Sequence, residues 1–170
     1  MGVFGKAVLG AVAGFLFAFA AVAEPLPAPV GDVILTVRGE ITQKNQANEA
    51  VLDRGLIEAI GVQSVMTGTI WTEGTSEFRG VDLSRLLVRL GARGSQLRLT
   101  ALNDYSVEFP VSDAVEGGPM LAFQMDGRDL SVRDKGPLWL IYPFDPKPVY
   151  KNEVNYARSI WQLTMIEVLP

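Results

Sequence analysis

A short apolar segment, Leu138 to Tyr142, stands between two prolines, Pro137 and Pro143. An uninterrupted apolar run of this kind is typical of a strand that is buried on both faces. Such a strand requires protein layers on both sides. A chain of 170 residues, 48% of them hydrophobic, can supply these layers in one domain and is too short for two ordinary ones.

Five further segments have the alternating or β-branched pattern of short strands. They are Val33–Val37, Ser64–Trp71, Leu97–Leu102, Met120–Met125 and Ile160–Val168. Asp126-Gly127 directly follows the fourth of them, and this dipeptide is the strongest short signal for a hairpin turn. The polar stretch Thr72 to Phe78 is predicted to be a loop.

Two helices are predicted among these strands. In the clearer one, leucines recur at i, i+3, i+4 and i+7 between Asp82, a good N-cap residue, and Gly91, a typical stop. A second helix is predicted over residues 49–60, where Leu52, Leu56 and Ile60 recur every four residues. Many short strands with two helices predict a single mixed, mainly β domain of the α+β class.

Residues 1–23 have the features of a signal peptide. Lys6 precedes an unbroken apolar run, and Ala21-Val22-Ala23 supplies the small residues after which signal peptidase cleaves. A membrane anchor is the alternative, because the run is nearly long enough to span a bilayer. Cleavage before Glu24 would leave an exported protein with no membrane insertion of its own.

The mature chain is predicted to begin with a stiff leader. Residues 24–30 contain Pro25, Pro27 and Pro29, a spacing that favours an extended, polyproline-like segment, and residues 31–170 form the folded domain. An exported domain without cysteine folds without an oxidising compartment, which suits a bacterial periplasm. We therefore expect a periplasmic protein.

Composition removes much common chemistry. The chain has no cysteine and no histidine, so it has no thiolate and no imidazole to act as nucleophile, base or metal ligand. Its formal charge of −4 gives no reason to expect a nucleic acid partner. Carboxylates cluster twice, around Asp104 to Glu116 and around Asp126 to Asp134. Two carboxylates can hydrolyse a glycosidic bond, but pairs on a surface are usually solvated, and Asp126-Gly127-Arg128-Asp129 lacks the rest of a calcium-loop pattern. No catalytic constellation is apparent.

Three segments carry the ingredients of a small-molecule pocket at strand ends. Trp71 follows a predicted strand, Asn103-Asp104-Tyr105 places an amide, a carboxylate and a phenol in succession, and Arg133-Asp134-Lys135 precedes the most buried strand. Each segment also has a purely structural interpretation: Trp71 as core filler, Asn103-Asp104 as a turn and the charged residues as a solvated loop.

The same segments resemble the molybdopterin-binding domain family with the sulfite-oxidase fold, over about residues 31–168. The order and spacing of the motifs carry the resemblance. They are Phe78-Arg79-Gly80-Val81-Asp82-Leu83, Leu86-Leu87, Gly91-Ala92, Ala101-Leu102-Asn103-Asp104-Tyr105, Pro110, Leu121-Ala122, Met125-Asp126-Gly127, Arg133 to Pro143, Arg158-Ser159-Ile160-Trp161-Gln162-Leu163, Ile166 and Val168. The implied fold is a reduced form of sulfite oxidase's cofactor domain.

The sequence departs from the family's enzymes where they hold molybdenum. The resemblance implies a metal-binding cysteine within Thr67 to Arg79 and a basic residue just before the C-terminal Trp, but the first segment lacks Cys and the second position is Ile160. The chain is more similar to small exported members that bind a free pterin and no metal. The resemblance implies a non-catalytic regulator that docks on the periplasmic domain of a membrane enzyme making or degrading cyclic di-GMP, and so affects attachment and biofilm formation. The alternative is a molybdopterin-dependent oxidoreductase with a cysteine-free site.

Pterin binding would assign roles to these residues. A flat pterin can stack on an aromatic ring, and its amino-oxo edge presents adjacent N–H donors that a carboxylate can accept. We predict Trp71 as the stacking residue and Asp104 as the edge acceptor, with Asn103 and Tyr105 in support.

The remaining candidate residues would contact the outer parts of the ligand. Arg133 and Lys135 could reach its carbonyl oxygen or hydroxyl groups, and Tyr142 or Trp161 could form a wall. Because Trp139 and Tyr142 lie on opposite faces of one strand, at most one of them should line the site.

Overall fold

A computed structural model describes Gly2 and residues 25–170. The predicted signal peptide therefore lies, except for Gly2, outside the described residues. The described residues form ten strands and three α-helices. In chain order they are β1 Val33–Gly39, β2 Glu49–Asp53, α1 Arg54–Glu58, β3 Val62–Gly68, β4 Thr75–Asp82, α2 Leu83–Leu90, β5 Gln96–Ala101, β6 Ser106–Pro110, β7 Met120–Met125, β8 Arg128–Asp129, β9 Trp139–Ile141, α3 Glu153–Arg158 and β10 Leu163–Leu169.

The strands form two sheets, and the described chain is the mixed, mainly β domain that was predicted. The first sheet has the order β2-β1-β10-β5-β6, with β1 and β10 parallel and its other pairs antiparallel. The second has the order β3-β4-β7-β8, and β9 pairs with β7. Among the described residues, no helix is long and apolar enough to span a bilayer.

Strand β9 lies between two hydrophobic clusters, which confirms the prediction that it is buried on both faces. Leu140 and Tyr142 point into the larger cluster with β1, β5, β10 and α2, whereas Trp139 and Ile141 point into a smaller one with Phe78. Trp139 is fully buried. A fully buried large apolar side chain contributes about 1.5–3 kcal/mol, so β9 fixes the two layers against each other.

Helix α2 has its leucines on one buried face, as predicted, and Gly91 ends it in the left-handed conformation, φ 60°. Asp82 stands at the N-cap position but makes no capping hydrogen bond. Its carboxylate instead accepts hydrogen bonds from the Gln63 side chain and the Gly117 N–H, at 3.0 and 3.1 Å. The helix was therefore correctly predicted, but the role of its N-cap side chain was not.

The prediction of a helix over residues 49–60 is wrong for the first part of that segment. Residues 49–53 form β2, which pairs with β1, and Asn45 binds the outer edge of β2 through Val51 N–H and C=O. The helix α1 begins only after Asp53, whose carboxylate accepts the Leu56 N–H at 2.8 Å. Sheet pairing and this cap overrode the four-residue spacing of leucines.

Three other elements differ from the prediction. The predicted loop Thr72 to Phe78 contains the start of β4, in which buried Ser76 and Phe78 alternate with exposed residues. Strand β6 and helix α3 were not predicted at all. Both lie in segments rich in polar residues, where the apolar pattern is weak.

Candidate functional site

An apolar hollow of about 510 Å³ opens where three connecting segments meet. These are the turn between β3 and β4, the hairpin turn between β5 and β6, and the stretch from α3 to β10. The residues lining this apolar hollow are Ile70, Trp71, Ala101, Asn103, Tyr105, Tyr156, Ala157, Ser159, Ile160 and Trp161. Most of its surface is hydrocarbon or aromatic, and a few polar groups stand among them, which is the usual makeup of a small-molecule pocket.

Trp71 is the centre of the aromatic wall. Its ring lies edge to face with Trp161, Trp139 and Tyr156, at centroid distances of 5.8, 5.9 and 6.1 Å. The backbone N–H of Trp71 donates to the Thr69 hydroxyl at 3.1 Å, which fixes the turn that carries the ring. Edge-to-face pairs of this kind are each worth about 0.5–1.5 kcal/mol beyond burial, so the indole is held in place before any ligand arrives.

The segment from α3 to Trp161, which also lines the apolar hollow, is held by a hydrogen bond to its backbone and by one ion pair. Trp139 donates its indole N–H to the Ser159 carbonyl at 3.1 Å, which holds the segment before Trp161 against β9. In α3, Arg158 pairs with Asp113 at 2.7 Å and its guanidinium lies 5.4 Å from the Phe109 ring. These contacts position the helix that presents Tyr156 to the hollow.

A second, basic hollow of about 370 Å³ shares Trp71 and Trp161, the tryptophan pair, with the apolar hollow. Trp71, Trp161, Arg133, Lys135 and Gln162 line it. The Lys135 ammonium lies 5.4 Å from the Trp139 ring and 5.9 Å from the Trp161 ring, within range for cation–π attraction. Neither cation has a carboxylate within salt-bridge distance in the part of the chain that the structure describes.

Six of the eight predicted site residues lie at these two hollows. Trp71 and Trp161 belong to both, Asn103 and Tyr105 line the apolar hollow, and Arg133 and Lys135 line the basic one. Residues from three separated segments of the sequence thus come together. The Asn103 side-chain oxygen accepts the Tyr105 N–H at 3.2 Å, which leaves its amide N–H groups available at the rim.

The other two predicted residues lie elsewhere. Asp104 is exposed at the tip of the hairpin turn, with φ 65°, and does not line either hollow. Tyr142 is 1% exposed in the large core, against Phe144 and Tyr150, and its hydroxyl has no hydrogen-bond partner among the described residues. Burial raises the pKa of Tyr142 well above its usual value. Trp139 and Tyr142 lie on opposite faces of the strand, as alternation predicts, and neither contributes directly to the hollows.

Two residues of the site could not be recognised from the sequence. Tyr156 lies on α3, a helix that was not predicted, so nothing indicated that its ring would face Trp71. Gln162 lines the basic hollow with φ 51°, a left-handed conformation that is uncommon for a residue other than glycine. The positions of Tyr156 and Gln162 at the site are seen only in the folded structure.

A sequence model of the oxidoreductase molybdopterin-binding domain matches residues 47–145. The chain belongs to this family. The matched region includes the turn that carries Trp71, the hairpin that carries Asn103 and the loop that carries Arg133 and Lys135. A comparison with curated proteins finds no match.

A solved member of the same fold confirms the predicted architecture. The structure of the sulfane dehydrogenase SoxCD from Paracoccus pantotrophus superposes with a TM-score of 0.60 at 18% sequence identity. The alignment covers 79% of this chain but only 37% of that one, so the chain spans little more than a third of the SoxCD chain. At this identity the likeness establishes the fold, not the reaction.

The site supplies no thiolate ligand for a molybdenum centre, because the chain has no cysteine anywhere in its sequence. In the described residues there is also no cluster of three or more Asp, Glu, His or Cys side chains that could hold a metal. Indole rings, two amides, two phenols and two cations line the hollows instead. These groups suit the organic, pterin-like part that the family name implies.

Proposed function

We propose that this protein is a non-catalytic, pterin-binding regulator. The observation that carries the proposal is the apolar hollow with Trp71 and Trp161 on its wall. Its volume of about 510 Å³ falls within the range of about 300–1,000 Å³ typical of small-molecule sites. Membership of the molybdopterin-binding family supports a pterin-related ligand.

The chemistry of the rim suits a flat heterocycle. Burial of the ring against Trp71 supplies most of the affinity, and stacking adds on the order of 1 kcal/mol. Asn103 and Tyr105 supply hydrogen-bonding groups at the rim for the polar edge of the ring. Asp104 was proposed for that edge, but Asn103 has the better position because it lines the hollow. Arg133 and Lys135, which line the basic hollow, would contact a substituent that extends past the tryptophan pair.

Location and partner form the second part of the proposal. The apolar run before Ala21-Val22-Ala23 supports export to the periplasm, where the mature protein would have no membrane insertion of its own. We propose that it docks there on the periplasmic domain of a membrane enzyme that makes or degrades cyclic di-GMP. Resemblance to the small exported members of the family supports this partner.

Ligand binding is the first test. Isothermal titration with a panel of reduced and oxidised pterins should give binding by the native protein, and Trp71→Ala should weaken it at least tenfold. The control is Val88→Ala, because Val88 lies on α2 and is 81% exposed, and this variant should bind pterin as the native protein does. Absence of binding across the panel, or full-strength binding by Trp71→Ala, would contradict the proposed site.

Partner binding is the second test. The periplasmic domain of a candidate cyclic di-GMP enzyme from the same organism should bind the native protein more tightly when the pterin is present. Trp71→Ala should lose this ligand effect, and Val88→Ala should keep it. Equal affinity with and without pterin would remove the sensing role even if pterin binds.

Family membership and the SoxCD fold favour one alternative, an oxidoreductase with a cysteine-free molybdopterin site. Elemental analysis of protein purified from its own periplasm separates the two proposals. Stoichiometric molybdenum that copurifies would support the oxidoreductase, and trace amounts would exclude it.

A further inference from the structure

Gln162 makes all the hydrogen bonds that join the basic loop to the rest of the described chain. The basic loop, residues 131–136, carries Arg133 and Lys135. The Gln162 N–H donates to the Lys135 carbonyl at 3.0 Å, and its side-chain amide donates to the Val132 carbonyl at 2.8 Å. The loop's other hydrogen bonds are internal, between Ser131 and Asp134 or Gly136.

The same residue also joins the third segment of the site. The Gln162 carbonyl accepts the Leu102 N–H at 2.8 Å, at the start of the hairpin turn that carries Asn103 and Tyr105. Trp161, which belongs to both hollows, is its neighbour in sequence. One residue thus connects the basic loop, the hairpin turn and the tryptophan pair.

The backbone at this point favours glycine, yet the residue is glutamine. With φ 51°, a side chain at position 162 is held in a conformation that glycine adopts more readily. The contacts of the side chain must therefore offset the conformational free energy that the left-handed backbone costs. Its hydrogen-bond partner, the Val132 carbonyl, belongs to a loop whose residues are mostly exposed. A contact to an exposed loop adds little to the core, so its clearest effect is on where the loop stands.

We propose that Gln162 is a positioning residue that holds Arg133 and Lys135 beside the tryptophan pair. It thereby sets the preference of the site for a flat ring with an anionic substituent over the same ring without one. The claim about ligand preference rests on the proposed function, whereas the claim that Gln162 positions the basic loop does not. The cations act on the substituent, and Gln162 acts through them.

Two binding probes test the specificity. Pterin-6-carboxylate and 6-hydroxymethylpterin share the ring and differ in charge, and the native protein should bind the acid more tightly. Gln162→Gly retains the backbone hydrogen bonds and suits the left-handed conformation, so it should fold. It should lose at least fivefold in affinity for the acid and less than twofold for the alcohol. The control Gln124→Leu removes a glutamine whose amide donates to Asp129, away from both hollows.

Each other result overturns a defined part of the inference. Equal loss of both ligands in Gln162→Gly would make Gln162 merely structural. Equal affinity of the native protein for both probes would remove the preference that Gln162 is proposed to set. No binding of either probe by the native protein would contradict the proposed function, and a measurement without ligand then decides the role of Gln162.

That measurement uses the contact between Lys135 and the indoles. In the native protein, Lys135→Met should change the tryptophan emission, because it removes a cation within 6 Å of the Trp139 and Trp161 rings. In the Gln162→Gly background the same substitution should change the emission much less, because the loop no longer holds the ammonium there. An undiminished change would show that Gln162 does not position the loop.

Discussion

The two hollows share Trp71 and Trp161 but are held in different ways. The apolar hollow is backed by the core, since Trp139 is fully buried and both Ser159 and Ile160 are at most 3% exposed. The basic hollow is formed in part by the mostly exposed basic loop, and two hydrogen bonds from Gln162 join this loop to the rest of the domain. If the proposed function holds, the part of the site that would bind the ring belongs to the fold, whereas the part that would bind a substituent lies on a weakly attached segment, which can vary without unfolding the domain.

Unfolding measurements should show the largest contrast between the two sides. Trp139→Ala should lower the free energy of unfolding by about 3–5 kcal/mol, because it leaves a cavity in the smaller cluster. Gln162→Leu should lower it by less than about 1.5 kcal/mol, the usual range for one hydrogen bond. Urea denaturation followed by circular dichroism gives both values. Comparable losses would mean that the basic side is as firmly built as the apolar one.

The stability of the protein at alkaline pH should show that Tyr142 belongs to the core and not to either hollow. Burial holds the pKa of Tyr142 above its ordinary value of 10.0, so the folded protein keeps the proton that the unfolded chain releases. Stability is therefore unaffected below about pH 10 and falls as the pH rises above that value. Tyr142→Phe should reduce this fall and leave pterin binding unchanged.

The matched control for this prediction is Tyr105→Phe. Tyr105 is 54% exposed and lines the apolar hollow, so its variant should keep the native pH dependence of stability. A residual alkaline loss in Tyr142→Phe is expected, because burial also raises the pKa of Tyr150. An unchanged pH profile in Tyr142→Phe would contradict the burial of its hydroxyl.

The sequence predicted elements best where one local signal dominated. The leucine spacing and Gly91 defined α2, and the apolar segment between two prolines defined β9. It failed where pairing decided the outcome: residues 49–53 became a strand because β1 and Asn45 hold both of its edges. Leucine periodicity alone cannot report a partner strand that lies elsewhere in the chain.

For the site, the sequence supplied residue types but not their directions. Trp71, Asn103 and Lys135 were selected because aromatic, amide and cationic groups stand at strand ends, and all three line a hollow. Asp104 was selected on the same grounds, but the left-handed turn places it outside both hollows. Gln162 stands in one of the family motifs, but the motif did not reveal its role, which depends on three segments that meet only in the folded protein.

The hairpin turn offers a direct test of those directions. Asn103→Ala should weaken pterin binding several-fold, because one hydrogen bond is worth about 0.5–1.5 kcal/mol. Asp104→Ala should change it less than twofold, because its side chain does not line the hollow. Isothermal titration with one pterin compares the two variants. The reverse order would restore Asp104 as the edge acceptor.

Salt should produce the smallest effect and act on one side only. Arg133 is exposed and Lys135 is half-buried, and salt screens charges that water reaches over a Debye length of about 10 Å at about 0.1 M. Affinity for pterin-6-carboxylate should therefore fall a few-fold as salt rises, whereas affinity for 6-hydroxymethylpterin should stay constant. Lys135→Met should flatten the salt dependence for the acid. Lys44→Met removes the same charge from an exposed position away from both hollows and should preserve it. If Lys44→Met flattens the dependence equally, the anion responds to the net charge of the protein, and the basic hollow has no separate role.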